Sequence, residues 1–154
     1  MFTTDSATKF FRLSTVEQSM LIRSAFRLPL IALGLRTMGF EKTRAVLARH
    51  IPPTRWPTTH NTLDPRTVAQ LVAIAARHGA YRASCLEESL LLWWLLRRRG
   101  HPATLRVGVN KNDGTLHAHA WVELAGRVLN DKRGVRRRFT GFDHDLGSRR
   151  SSTP

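Results

Sequence analysis

The sequence predicts an α+β fold, and three features carry that expectation. Helix-start and helix-stop signals fill the first 99 residues, apolar alternation takes over after Gly100, and the segment between, Ser84 to Arg99, is too rich in leucine and tryptophan for a surface helix. Helices first, strands after and an apolar helix at the join point to a central helix packed on a small antiparallel sheet.

In chain order, Ser14 followed by Glu17 makes a capping-box pattern that opens a helix carrying Val16, Met20, Leu21 and Ile22. Pro29 is expected to end or kink it, with the apolar pattern resuming over Leu30 to Met38. Phe40 to His50 reads as a short amphipathic helix stopped by Pro52 and Pro53, and residues 51–63 as a Pro/Thr-rich connection containing Trp56. Asp64 and Pro65 supply an N-cap and a first-turn proline for a helix running to about His78, closed by Gly79. After the central helix, Gly100 and Pro102 form a stop. Leu105, Val107 and Val109 then alternate as in a strand, Asn110 to Thr115 reads as a turn, Leu116 to Leu124 alternates again, and Arg127 to Asp131 reads as a third strand.

The 154 residues fit one domain, divided into a helical region, 1–83, a helix-plus-sheet core, 84–143, and an expected disordered tail, 144–154. The longest uncharged apolar run, Leu28 to Leu35, is far short of the ~18 residues a membrane span needs. No secretory signal is visible, and a single cysteine forbids an internal disulfide, so a cytoplasmic, reducing compartment is expected. Net charge is +14, from 25 Lys and Arg against 11 Asp and Glu. The basic residues are spread over the chain and no recognised nucleic-acid motif accompanies them, so nucleic acid is not the expected partner.

Ser84-Cys85-Leu86-Glu87 is a second capping box, which sets Cys85 in the first turn of the central helix. Unpaired N–H groups and the helix dipole there favour a thiolate, as a nucleophilic cysteine needs, and the same N–H groups can form one side of an oxyanion hole. Glu87 and Glu88 oppose this with negative charge. The competing reading is a small buried cysteine with no chemistry, the usual fate of a free thiol.

His117 and His119 share a strand face with Trp121 and Glu123, opposite an apolar face of Leu116, Ala118, Ala120, Val122 and Leu124. A three-residue loop, Leu124-Ala125-Gly126, would pair Glu123 with Arg127, Trp121 with Leu129 and His119 with Asp131. That register puts Asp131 beside His119, where a carboxylate fixes the tautomer of a catalytic imidazole; a two-residue loop would turn Asp131 to the other face. Two alternatives stand beside a nucleophile–base–orienter set. His-x-His with Cys85 or Asp131 could bind a metal, or both histidines could be polar residues of a half-exposed sheet.

Ser84-Cys85-Leu86-Glu87-Glu88-Ser89-Leu90, Trp93 to Gly100, Leu105 to Val109, Ala118-His119-Ala120-Trp121-Val122-Glu123 and Gly126-Arg127-Val128-Leu129-Asn130-Asp131 together resemble the transglutaminase-like leader peptidases of lasso peptide biosynthesis. The resemblance spans residues 84–131, with weaker similarity before it. It implies a papain/transglutaminase-like fold and a Cys85, His119, Asp131 triad that needs no metal or organic cofactor. The implied substrate is a ribosomally made precursor peptide, cut after a leader whose penultimate residue is usually threonine. The implied partners are a separate leader-binding protein, since residues 1–83 read as helical and not as a fused winged-helix module, and an ATP-dependent cyclase resembling asparagine synthetase that closes the macrolactam. His117 lies outside the family pattern. Trp56, whose indole N–H can donate, is a candidate second oxyanion donor against the commoner reading of a packing tryptophan. Two rival functions remain at this stage: transglutaminase-type acyl transfer, and a non-catalytic basic module binding leader peptide or nucleic acid.

Overall fold

A computed structural model of the chain describes residues 13–52, 63–112, 115–131 and 140–141. Trp56, Pro53 and the tail 144–154 lie outside the described residues. The fold is α+β, and the described residues form three helices followed by an antiparallel sheet.

Helix α1 (Thr15–Arg49) starts at the expected capping box: Ser14 Oγ accepts the Glu17 amide, and the Glu17 carboxylate accepts the Ser14 amide at 2.8 Å. The helix neither ends nor breaks at Pro29. It runs through the proline with helical dihedrals and breaks at Gly39, where φ is 78° and ψ 175°. Proline inside a helix costs about 3 kcal/mol, but Leu28, Ile31 and Ala32 around it are buried and offset that cost. Gly39 is the residue that adopts a positive φ without penalty, and a Cβ there would meet no atom within 4 Å, so backbone conformation alone selects it. The second half, from Phe40, is the short helix the sequence indicates.

Helix α2 (Pro65–His78) is capped by Asp64, whose carboxylate accepts the Arg66 and Thr67 amides at 2.8 and 3.3 Å. Helix α3 (Cys85–Arg98) is the central one. Leu90, Leu91, Leu92 and Leu96 are fully buried and Trp93 and Trp94 nearly so, an all-round apolar surface that only an enclosed helix tolerates. Each such leucine contributes about 1.5–3 kcal/mol of burial. One core cluster joins α1, α2, α3 and the sheet, from Met20 and Leu28 through Val68 and Val72 to Leu105 and Val122. Among the described residues no helix is long and apolar enough to cross a membrane.

Among the described residues the sheet has four strands in the order β3-β2-β1-β4: β1 (Thr104–Asn112), β2 (Thr115–Leu124), β3 (Arg127–Val128) and β4 (Thr140–Gly141). The β1–β2 ladder runs from Thr104↔Glu123 to Asn112↔Thr115, so the segment expected as a turn from Asn110 is mostly strand. Strand β4, which pairs with β1 at Gly108 and Val109, carries no signal in the sequence.

The β2–β3 register departs from the expected one by a residue. The loop is two residues long, Ala125 and Gly126, with φ of 48° and 75°, and the pairs are Leu124↔Arg127 and Glu123↔Val128. Positive φ at both positions gives the loop the right-handed twist of the flanking strands, which a longer loop does not need. Glu123 therefore pairs with Arg106 on β1, at 3.6 Å, and not with Arg127. The sheet is also less one-sided than expected. Ala120 and Val122 are buried as predicted and Ala118 is exposed, while Trp121 and Glu123 on the opposite face are buried too. The Trp121 indole donates to Glu123 at 2.9 Å.

Candidate active site

Cys85 is the first residue of α3, a free and half-buried thiol. Ser84 caps the helix, and the Glu87 carboxylate accepts both the Ser84 amide at 2.7 Å and the Tyr81 hydroxyl at 2.9 Å. Glu87 thus spends its charge on the cap and on Tyr81. Capping uses the Glu87 amide, and the Ser84 carbonyl takes that of Glu88. The first two amides, on Cys85 and Leu86, project from the helix end without intrahelical partners, as such positions must.

His119 lies on β2 opposite Gly108, with its Nε2 hydrogen-bonded and ion-paired to the Asp131 carboxylate. Both side chains are largely buried, 27% and 15% exposed, so the pair is shielded from bulk water. The imidazole stacks along Trp121, centroids 6.3 Å apart. His119 and Asp131 are therefore together as the sequence indicates, but by a different route. In the observed register an ideal strand would have carried Asp131 to the other face. The strand stops instead: Leu129 makes the last ladder bond, its amide to the Val122 carbonyl at 3.0 Å, and the Val122 amide goes to the Asn130 side chain at 2.8 Å. The chain bends over residues 129–131, and the bend returns Asp131 to His119.

A buried polar knot holds this bend against the cysteine helix. Ser89 is one helical turn after Cys85, on the same face, and fully buried. Its hydroxyl donates to the Ala120 carbonyl at 2.9 Å and accepts from the Asn130 amide at 2.8 Å. Ala120 adjoins His119 and Asn130 adjoins Asp131, so one serine ties the helix of Cys85 to the segments carrying the other two residues. Sequence reasoning missed both members. The available signal was Ser89 itself, a hydroxyl at helical spacing from Cys85 inside an otherwise apolar run.

Glu88, also in the first turn, faces the same region. Burial holds its carboxyl above the usual range, with nearby Asp131 adding to this, while Arg77, a hydrogen bond to Asn130 and His119 work in the other direction. Between the ordinary and the raised value the folded chain keeps a proton that the unfolded chain has lost, so this group makes stability fall as pH rises through that window. Glu88→Gln should remove that fall. In thermal melts the variant should exceed the wild type at pH 7, with the difference vanishing near pH 4.

His117 is exposed, paired across the ladder with Asn110. Among the described residues no group of three or more His, Cys, Asp or Glu side chains is placed to hold a metal ion. A family model described as transglutaminase-like superfamily matches residues 27–142, well over half of the chain, starting inside α1. No curated protein and no solved structure matches it.

Proposed function

The chain belongs to the transglutaminase-like superfamily, and from that premise we propose that it is a cysteine peptidase that removes the leader from a ribosomally made lasso peptide precursor before macrolactam formation. The observation that carries this reading is the bond between His119 and Asp131 on elements tied through Ser89 to the helix that begins at Cys85. The order Cys, His-Ala-Trp-Val-Glu, Asp, which resembles the leader peptidases, supports this branch of the superfamily.

The chemistry follows from the residue types. With Nε2 committed to Asp131, proton exchange with Cys85 falls to Nδ1 of His119. His119 takes the thiol proton and the thiolate attacks the carbonyl carbon at the end of the leader. The tetrahedral oxyanion is met by the Cys85 backbone N–H, at the positive end of α3. As the C–N bond breaks, His119 gives its proton to the departing amine, leaving a thioester on Cys85. Water, deprotonated by His119, then releases the leader as a free acid and restores the thiol. Asp131 keeps the imidazole oriented and stabilises its charged form. The freed amine is the nucleophile for ring closure by a separate ATP-dependent cyclase, and a separate leader-binding protein presents the precursor. We place the reaction in the cytoplasm.

The superfamily also includes acyl transferases, in which an amine replaces the water. Cleavage of the precursor in ¹⁸O-labelled water with added primary amine separates the two. A peptidase leaves a leader acid carrying one labelled oxygen; a transferase leaves the leader amide. Intact precursor after prolonged incubation with the leader-binding protein would sink both.

A further inference from the structure

We propose that the outer face of α1 is a docking surface for an acidic partner protein, one that presents an apolar ridge flanked by carboxylates. Ile22, Phe26, Leu30 and Leu33 follow one another at spacings of four, four and three residues, which places them in a single stripe. They are 47, 74, 66 and 58% exposed. The opposite side of the same helix carries the buried Met20, Leu28 and Ile31. A surface helix shows polar residues on the face away from the core, and a helix apolar on both faces is covered on both. The stripe is contiguous, unlike the single exposed apolar residues normal for any surface.

The charge beside the stripe selects what covers it. Arg23 and Arg27 form the neighbouring row of α1, and Arg98 comes alongside from the end of α3. The Arg27 and Arg98 guanidiniums lie 5.1 and 4.8 Å from the centre of the Trp94 ring. Among the described residues no carboxylate pairs with Arg23, Arg27 or Arg98. Burial first, then Arg98 and Arg23, hold Arg27 below the usual arginine range, so these cations crowd one another. A second copy of this chain would bring another +14 surplus against the same arginines, which disfavours a homodimer on this face. An acidic protein relieves the crowding and buries the stripe.

Resting on the proposed function, this partner is the leader-binding protein. The test compares wild type with Phe26→Gln/Leu30→Gln and with Arg23→Glu, all at exposed positions and checked for unchanged melting. Calorimetric titration with purified leader-binding protein should show binding by wild type that weakens with salt, and at least tenfold weaker binding by both variants. Stimulation of precursor cleavage should fall in parallel, with slow cleavage of bare precursor unchanged. Equal binding by all three, or none by wild type, overturns the docking surface and leaves the peptidase reading standing. Binding without cleavage by any form overturns the peptidase reading alone. Concentration-dependent dimers of wild type, or adsorption to phosphatidylglycerol vesicles, either one abolished in the glutamine variant, would reassign the face to a second copy or to a membrane.

Discussion

Replacing Cys85 with alanine should abolish precursor cleavage while leaving the melting temperature within a few degrees of wild type. The side chain is small and only half-buried, so the substitution removes a sulfur and leaves almost no cavity. His119→Ala should cost on the order of a thousandfold or more in kcat, because general base and general acid are lost together. Asp131→Asn should be milder: the asparagine can still hold the ring but no longer offsets its charge. His117→Ala, two residues away and exposed, should cost less than tenfold. This ordering separates a peptidase site from a metal site. Equal losses at His117 and His119 restored by added zinc would place a metal there, and wild-type turnover by Cys85→Ala would end the peptidase reading.

The second large effect is expected at residues that touch no substrate. Ser89→Ala takes from the Ala120 carbonyl its hydroxyl donor and from the Asn130 amide one of its acceptors, and Asn130→Ala leaves the Val122 amide without its acceptor and the Ser89 hydroxyl without its donor. An abandoned buried polar group costs about 1–3 kcal/mol. Each variant should therefore lose about 2–4 kcal/mol of stability in urea unfolding. The same variants should lose kcat by roughly ten- to a hundredfold with little change in KM, since the knot sets where Asp131 and His119 lie relative to the Cys85 helix. A merely structural serine would lower stability and leave kcat per folded molecule untouched.

The parts of this fold written in local chemistry are legible in the sequence. Both capping boxes, at Ser14 and Ser84, are satisfied within four residues, and the leucine and tryptophan content of α3 announces an enclosed helix. What escapes is decided at longer range. Pro29 looks like a break because its cost is local, whereas the burial that offsets it comes from other helices. The hairpin register hides because Ala125 takes a positive φ, a conformation that asparagine or glycine would have advertised. Asp131 reaches His119 only because the strand gives way to a side-chain bond from Asn130, and that residue's partner on α3 is 41 positions earlier. His119 and Asp131 thus meet, as the sequence indicates, through a different turn from the one it suggests. The exposed stripe of α1 looks in the sequence like any helical pattern, since a sequence does not say which of two apolar faces a fold will leave uncovered.

The account stands on Cys85 being an activated nucleophile and not a packing residue, and the rate of its alkylation by iodoacetamide at pH 6 tests that directly. Cys85 should react faster than free cysteine at the same pH, and His119→Ala should bring the rate down to that of free cysteine or below, because the base that takes the thiol proton is gone. A wild-type thiol that reacts no faster than free cysteine, and that is indifferent to His119, would contradict the proposed mechanism at its first step.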